Sequence, residues 1–308
     1  MAVERAAARE KASKEFVKAQ SEADQRDTRK VIADCTRAIE LEPDLALAYA
    51  LRAKALTRQN KNDAAWHDCT KALELDRTNS LALRTKGYLL AKRGNFDAAL
   101  VAYDQGIRAT RNEYLAEDFH NRARLRRISG DDELALADHN AAVALAPEKA
   151  LVYLSRSVTR RFAGDMDRAL EDLSRAAFLS RRLAHQSYLW IWEIRMLRGD
   201  PGDRDAAKAA LEQAEAALEA DRGAGTYAFD KKILDVCRGR LTTHEMVAEA
   251  GTNPLLRCIA CYYLGARALV EGRRPEAKTF FQDVRDTEIY THLEYDLAKW
   301  HLQQLGAD

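Results

Sequence analysis

Small residues recur through this chain at a fixed step, and that step leaves few folds open. Ala53, Gly87, Ala123 and Ser157 lie 34, 36 and 34 residues apart. Ala65, Ala99, Ala135 and Ala169 repeat the same three steps, while Ala38, Ala72, Gly106, Ala142 and Ala176 run 34, 34, 36 and 34. All three registers share one two-residue insertion, near Tyr114 and Leu115. A period of this size marks an array of a single supersecondary unit. Inside each period an apolar pattern of helical spacing occurs twice, divided by Asn60, Gly94, Gly130 or Gly164. Those residues tolerate the left-handed backbone that closes a helix. Units end in phrases such as Ile39-Glu-Leu-Glu-Pro43 and Val143-Ala-Leu-Ala-Pro147, where proline cannot continue the preceding helix. Where two helices cross closely, Ala, Gly or Ser lets the backbones approach. Tyr49, Leu56, Phe96, Tyr103, Tyr153 and Leu170 are then the candidate core between neighbours.

Composition agrees with an all-α chain. Only 5 prolines interrupt 308 residues, and aromatics make up 7%. The expected fold is therefore an all-α solenoid of helix-turn-helix repeats. Its expected parts are an N-terminal helix and degenerate first repeat over 1–45, four full units over 46–183, divergent helix pairs over 184–250, and a final unit with a capping helix over 255–308. Within the second half, Ser187 to Leu197 and Asp205 to Glu219 read as a pair joined by the breaker-rich Arg198-Gly-Asp-Pro-Gly-Asp203. Residues 226–250 read as a short irregular pair with Thr243 as an N-cap. Tyr295, Leu297, Trp300 and Leu305 mark the last helix, a cap over the final apolar face.

The order of aromatic, small residue, turn glycine, alanine, aromatic, alanine and proline over residues 46–183 resembles four tetratricopeptide repeats (TPRs), and the resemblance implies that the solenoid is a right-handed superhelix. From Tyr188 onward the chain is similar to bacterial lipoprotein TPR adaptors of the NlpI type. Tyr188-Leu-Trp-Ile-Trp192, the irregular pair after Gly225, Tyr262-Tyr-Leu-Gly-Ala-Arg-Ala-Leu269 and His292-Leu-Glu-Tyr-Asp-Leu-Ala-Lys299 carry that likeness. The resemblance implies a scaffold for cell-envelope proteins, in some members a dimer.

Charge narrows the partners. Lys plus Arg number 49 against 48 for Asp plus Glu, so the chain lacks the basic excess of a duplex-binding protein, which argues against nucleic acid as a partner. No apolar run reaches the length of a membrane span. Met1 to Lys14 is charged and without a signal-peptide core, which reads as cytoplasmic if residue 1 is the natural start and periplasmic if a leader was removed. The five cysteines, an odd number, read as buried reduced thiols.

Acids and bases recur together. Asp34, Asp68, Asp138 and Asp172 share one repeat position, with Ala102 in the remaining unit; Arg52, Lys86, Arg122 and Arg156 share another. The spacing of 18 from Asp34 to Arg52, Asp68 to Lys86 and Asp138 to Arg156 suggests a structural ladder between adjacent units. Other cations remain for a ligand. The first helices of such units usually line an inner surface, which puts Lys54, Arg84, Tyr88, His120, Arg124, Arg127 and Arg161 in a concave, locally basic groove. Arginine offers paired donors to carboxylates, so a protein or peptide partner could dock there through an acidic segment or a chain terminus. Leu47, Leu81 and Leu151 support an alternative, self-association into homo-oligomers.

Motifs for chemistry are absent. Gly223-Ala-Gly225 imitates a dinucleotide loop but follows a helix, and Cys258-x-x-Cys261 lacks a second cysteine pair for zinc. His67 and Cys69 point apart on a helix, and His244-Glu245 lacks the second histidine of a metalloprotease. No nucleophile elbow, phosphate loop or kinase set occurs. The expectation is a binding protein without enzyme activity, cofactor or metal.

Overall fold

The computed structural model describes residues 27–109, 116–221, 226–289 and 292–306. Sixteen helices and no strand occur among them. The insertion near Tyr114, the Gly223–Gly225 segment and the first helix expected before residue 27 lie outside the described residues. Two compact units divide the chain, residues 1–129 and 130–308.

The first unit holds α1 (Thr28–Leu41), α2 (Ala46–Arg58), α3 (Asn62–Leu75), α4 (Ser80–Lys92), α5 (Phe96–Ala109) and α6 (Ala116–Ile128). Each helix packs on its chain neighbour, and α2, α4 and α6 also pack side by side. Asp27 caps α1 by accepting from the Lys30 N–H, and Asn79 caps α4 by accepting from Ala82. The turn inside each pair needs a positive φ: Asn60 adopts 59° where the next pair uses Gly94 at 74°. The periodic small residues sit at the contacts. Ala53, Ala65, Ala72 and Ala99 are wholly buried. A Cβ on Gly87 would stand 2.9 Å from the Tyr103 ring. One on Gly106 would stand 2.5 Å from Arg84 Cγ and 3.2 Å from the Ser80 carbonyl.

The second unit holds α7 (Asp132–Leu145), α8 (Ala150–Phe162), α9 (Met166–Leu179), α10 (Arg181–Arg198), α11 (Asp203–Ala220), α12 (Tyr227–Arg238), α13 (Thr243–Ala250), α14 (Pro254–Val270), α15 (Arg274–Asp286) and α16 (Leu293–Gln304). The N-cap of α13 is Thr242, one residue before the expected Thr243. Its hydroxyl accepts from the Glu245 N–H while the Glu245 carboxylate accepts from the Thr242 N–H, a reciprocal pair that Thr243 could not complete. One core runs through this unit and includes Trp190, Leu173, Ile233, Tyr262 and Phe281, each at most 2% exposed. Packing is not confined to chain neighbours: α10 meets α14 and α8, and α16 meets α14, α15 and also α8. The last helix therefore does more than cap α15. All five cysteines are buried and unbridged, and burial pushes the Cys35 and Cys69 thiols up to about 12. No described helix is long and apolar enough to cross a membrane.

Candidate functional site

The acid–base ladder exists, but with a different pairing. Arg52 on α2 grips Asp68 on α3 through Nε and Nη2 at 2.7 and 2.8 Å, and its Nη1 donates to Thr36 Oγ1 on α1 at 3.2 Å. Arg156 on α8 repeats this in the second unit, holding Asp172 at 2.9 and 2.7 Å and Asn140 Oδ1 at 2.9 Å. The guanidinium lies over Tyr49 in one case and Tyr153 in the other. Arg52 and Arg156 thus each take the acid 16 residues after them, within their own helix pair, and not the acid 18 before. A helix hairpin places those positions face to face, and the paired fork matches a carboxylate. Asp34 pairs instead with Arg37 on its own helix. Lys86, whose partner position is Ala102, lies 5.6 Å from the Trp66 ring centroid. Arg122 takes Asp104 at 2.7 Å, two residues beyond the vacant Ala102, and Arg126 lies 3.8 Å from the same carboxylate. Asp138 is 4% exposed.

The expected basic groove is corrected by these pairings. Most of the dense arginines of α6 and α8 belong to the scaffold. Arg127 is 2% exposed and Arg161 1%, so neither guanidinium can meet a docked partner. His120 is buried as well, and Arg124 is half-buried near the Tyr88 and Tyr103 phenols, whose pKa burial raises against its charge.

What remains in the first unit is a cleft of about 160 Å³ bounded by α2, α4 and α6. Lys54, Thr57 and Arg58 come from α2, Arg84, Thr85 and Tyr88 from α4, and Glu117, Asp118 and Asn121 from α6, over Leu81 and Tyr103. Helix period puts residues three and four apart on one face, which is why 54, 57 and 58 line it together, as do 84, 85 and 88. Lys54 lies 3.9 Å from Glu117, and Arg84 pairs closely with Asp118. The cleft is therefore mixed in charge, three cations to two carboxylates. Burial pushes the Asp118 carboxyl up to about 6; Arg84 opposes this and Glu117 adds to it. Glu117 and Asp118 went unread in the sequence because they open α6, where acids are common for the helix dipole alone.

In the second unit Arg161 belongs to a buried network. Its Nη1 and Nη2 donate to Glu193 on α10 at 3.1 and 3.0 Å. Tyr262 on α14 donates its hydroxyl to Glu193 at 2.6 Å, and His301 Nε2 on α16 lies 2.5 Å from the same carboxylate. Burial alone would raise Glu193, but the Arg161 charge and His301 hold it well below the usual carboxylate range. Burial lowers His301, so it is neutral and donates one N–H. The sequence carried one signal of this: a carboxylate between Trp192 and Ile194, in an apolar run, requires a partner.

No protein-family model and no curated protein matches the chain. Solved structures do. The crystal structure of PilW, a type IV pilus biogenesis factor, aligns with a TM-score of 0.57 at 18% identity, over 70% of this chain and 96% of that one. PilF of Pseudomonas aeruginosa aligns at 0.56 and 17% identity, over 72% and 97%. A chain of the APC/C hetero-tetramer Cut9–Hcn1 aligns at 0.53 and 14% identity, over 87% of this chain and 48% of that one. These are tetratricopeptide-repeat proteins, and at such identities the likeness is one of fold.

Proposed function

We propose that the chain is an interaction scaffold that holds an extended, predominantly acidic peptide segment of a protein partner in the α2–α4–α6 cleft. The observation that carries this reading is the convergence of three parallel-positioned helices on one concave, half-polar surface, with Tyr88 beside Lys54 and Arg58. Such a surface offers an apolar face and separate charge contacts to a peptide. A place in a cell-envelope assembly is part of the same proposal; it rests on the lipoprotein-adaptor resemblance read from the sequence of the Tyr188–Lys299 segments, and a pilus biogenesis factor has the same fold.

Peptides selected from a displayed library against the full chain test it. Their affinity, measured by calorimetry, is expected to fall about tenfold or more in Tyr88→Ala and Lys54→Glu and to hold in Leu151→Ala, which lies in the other unit. Because Asp118 gains its proton near pH 6, loss of a facing negative charge should tighten an acidic peptide about twofold to tenfold between pH 7.5 and 5.5. Peptides unaffected by both cleft substitutions would remove the cleft from consideration.

A further inference from the structure

A second cavity, in the unit of residues 130–308, has a chemistry that the peptide cleft does not share. It measures about 510 Å³ and opens between α10, the end of α11, α12, α14 and the start of α16. Its floor is apolar: Leu189, Leu218, Ile233 and Tyr263 are 5% exposed or less. Its wall is acidic, with Asp221, Asp230 and Glu294 against one cation, Arg182.

Glu294 gives this acidity a direction. The residue is 2% exposed. One oxygen, Oε1, accepts from Gln186 Nε2 at 2.6 Å. The other, Oε2, is buried without a hydrogen-bond partner among the described residues; the nearest ionisable group is His292 Nδ1 at 3.5 Å. A buried carboxylate oxygen without a donor is costly unless something supplies one. His185 faces Asp230 instead, at 3.6 Å.

We infer that this cavity binds a primary ammonium group carried on an aliphatic stem, with the ammonium at Glu294 Oε2 and the stem on the apolar floor. An ammonium suits the geometry better than a guanidinium. The Gln186 bond leaves Oε2 as the Glu294 oxygen without a donor; an ammonium needs that single acceptor and can turn its other N–H groups to the neighbouring acids, whereas a guanidinium is best received by two free oxygens at once. Two sources carry this chemistry, a free alkyl diamine and the lysine side chain of a partner. The site shares no residue with the α2–α4–α6 cleft and stands or falls apart from it.

Calorimetry on the full chain with pentylamine, 1,5-diaminopentane and pentanol tests the inference. Saturable binding of the amines with no binding of pentanol is expected. Glu294→Gln, which keeps the shape and removes the charge, should weaken the amines about 10- to 100-fold, the scale of a charged hydrogen bond. Ile259→Trp, which fills the cavity, should abolish binding. Melting curves accompany each variant; if Glu294→Gln does not keep the wild-type transition, Asp230→Asn decides in its place. A blocked five-residue peptide with a central lysine separates the sources: binding tighter than the diamine points to a partner's lysine, weaker binding to a free amine. Equal binding of pentanol, undiminished amine affinity in the deciding variant, or no saturation by any amine below about 10 mM would overturn the inference.

Discussion

Arg52 and Arg156 make the same three contacts on two separate helix pairs, and the pair that lacks them departs as a set. Leu83 stands where Tyr49 and Tyr153 stand, Lys86 replaces the arginine, and Ala102 replaces the acid. Restoring one member alone leaves either a buried acid without its fork or a fork without its acid. Lys86→Arg with Ala102→Asp should therefore exceed the sum of the single changes by about 1 kcal/mol or more in denaturant unfolding. Additive effects would mean that the rung contributes nothing beyond its parts. The recurrence of these residues was legible in the sequence; their partners were not. Periodicity places an acid both 18 before and 16 after Arg52 and Arg156, and hairpin geometry gives both the later one, whereas Arg122 takes Asp104, 18 before it.

At the scale of helices, the Arg161–Glu193–Tyr262–His301 network fastens α8, α10, α14 and α16 with buried charge. Glu193→Ala strands the Arg161 guanidinium in the core and should cost about 3–5 kcal/mol. The pH dependence follows from His301. Its folded pKa lies below the unfolded value of 6.5, so its contribution is fully present above about pH 6.5 and is lost as pH falls through the folded pKa. Melting temperature of the intact protein should decline below that point, and His301→Gln should flatten the decline. An unchanged acid limb in the variant would assign the loss to other groups. Helix positions in this region were readable from apolar spacing, caps and breakers, as Gly199, Gly202 and Pro275 attest at helix ends. The pairing of α16 with α8 was not, because contacts beyond the neighbouring unit leave no mark on a repeat pattern.

At the scale of the whole chain, near-zero net charge and an exposed Leu47, Leu151 and Phe178 raise the question of self-association. Single exposed apolar residues are ordinary on a folded surface. Sedimentation should accordingly return the 34.7 kDa chain mass at every concentration. A mass that climbs with concentration and reverts in Leu47→Ser with Leu151→Ser would favour the homo-oligomer instead. The repeat array was legible because small residues at fixed steps are forced by helix crossings, whereas the clefts depend on which charges the scaffold has already claimed. The buried network also sets a clock. Arrays whose units touch only their neighbours can fold as they emerge, from either end. Arg161 and His301 stand 140 residues apart in the chain. A ribosome must release nearly all of the second unit before that arginine finds its full set of partners, so the helices around it wait, incompletely locked, through most of its synthesis.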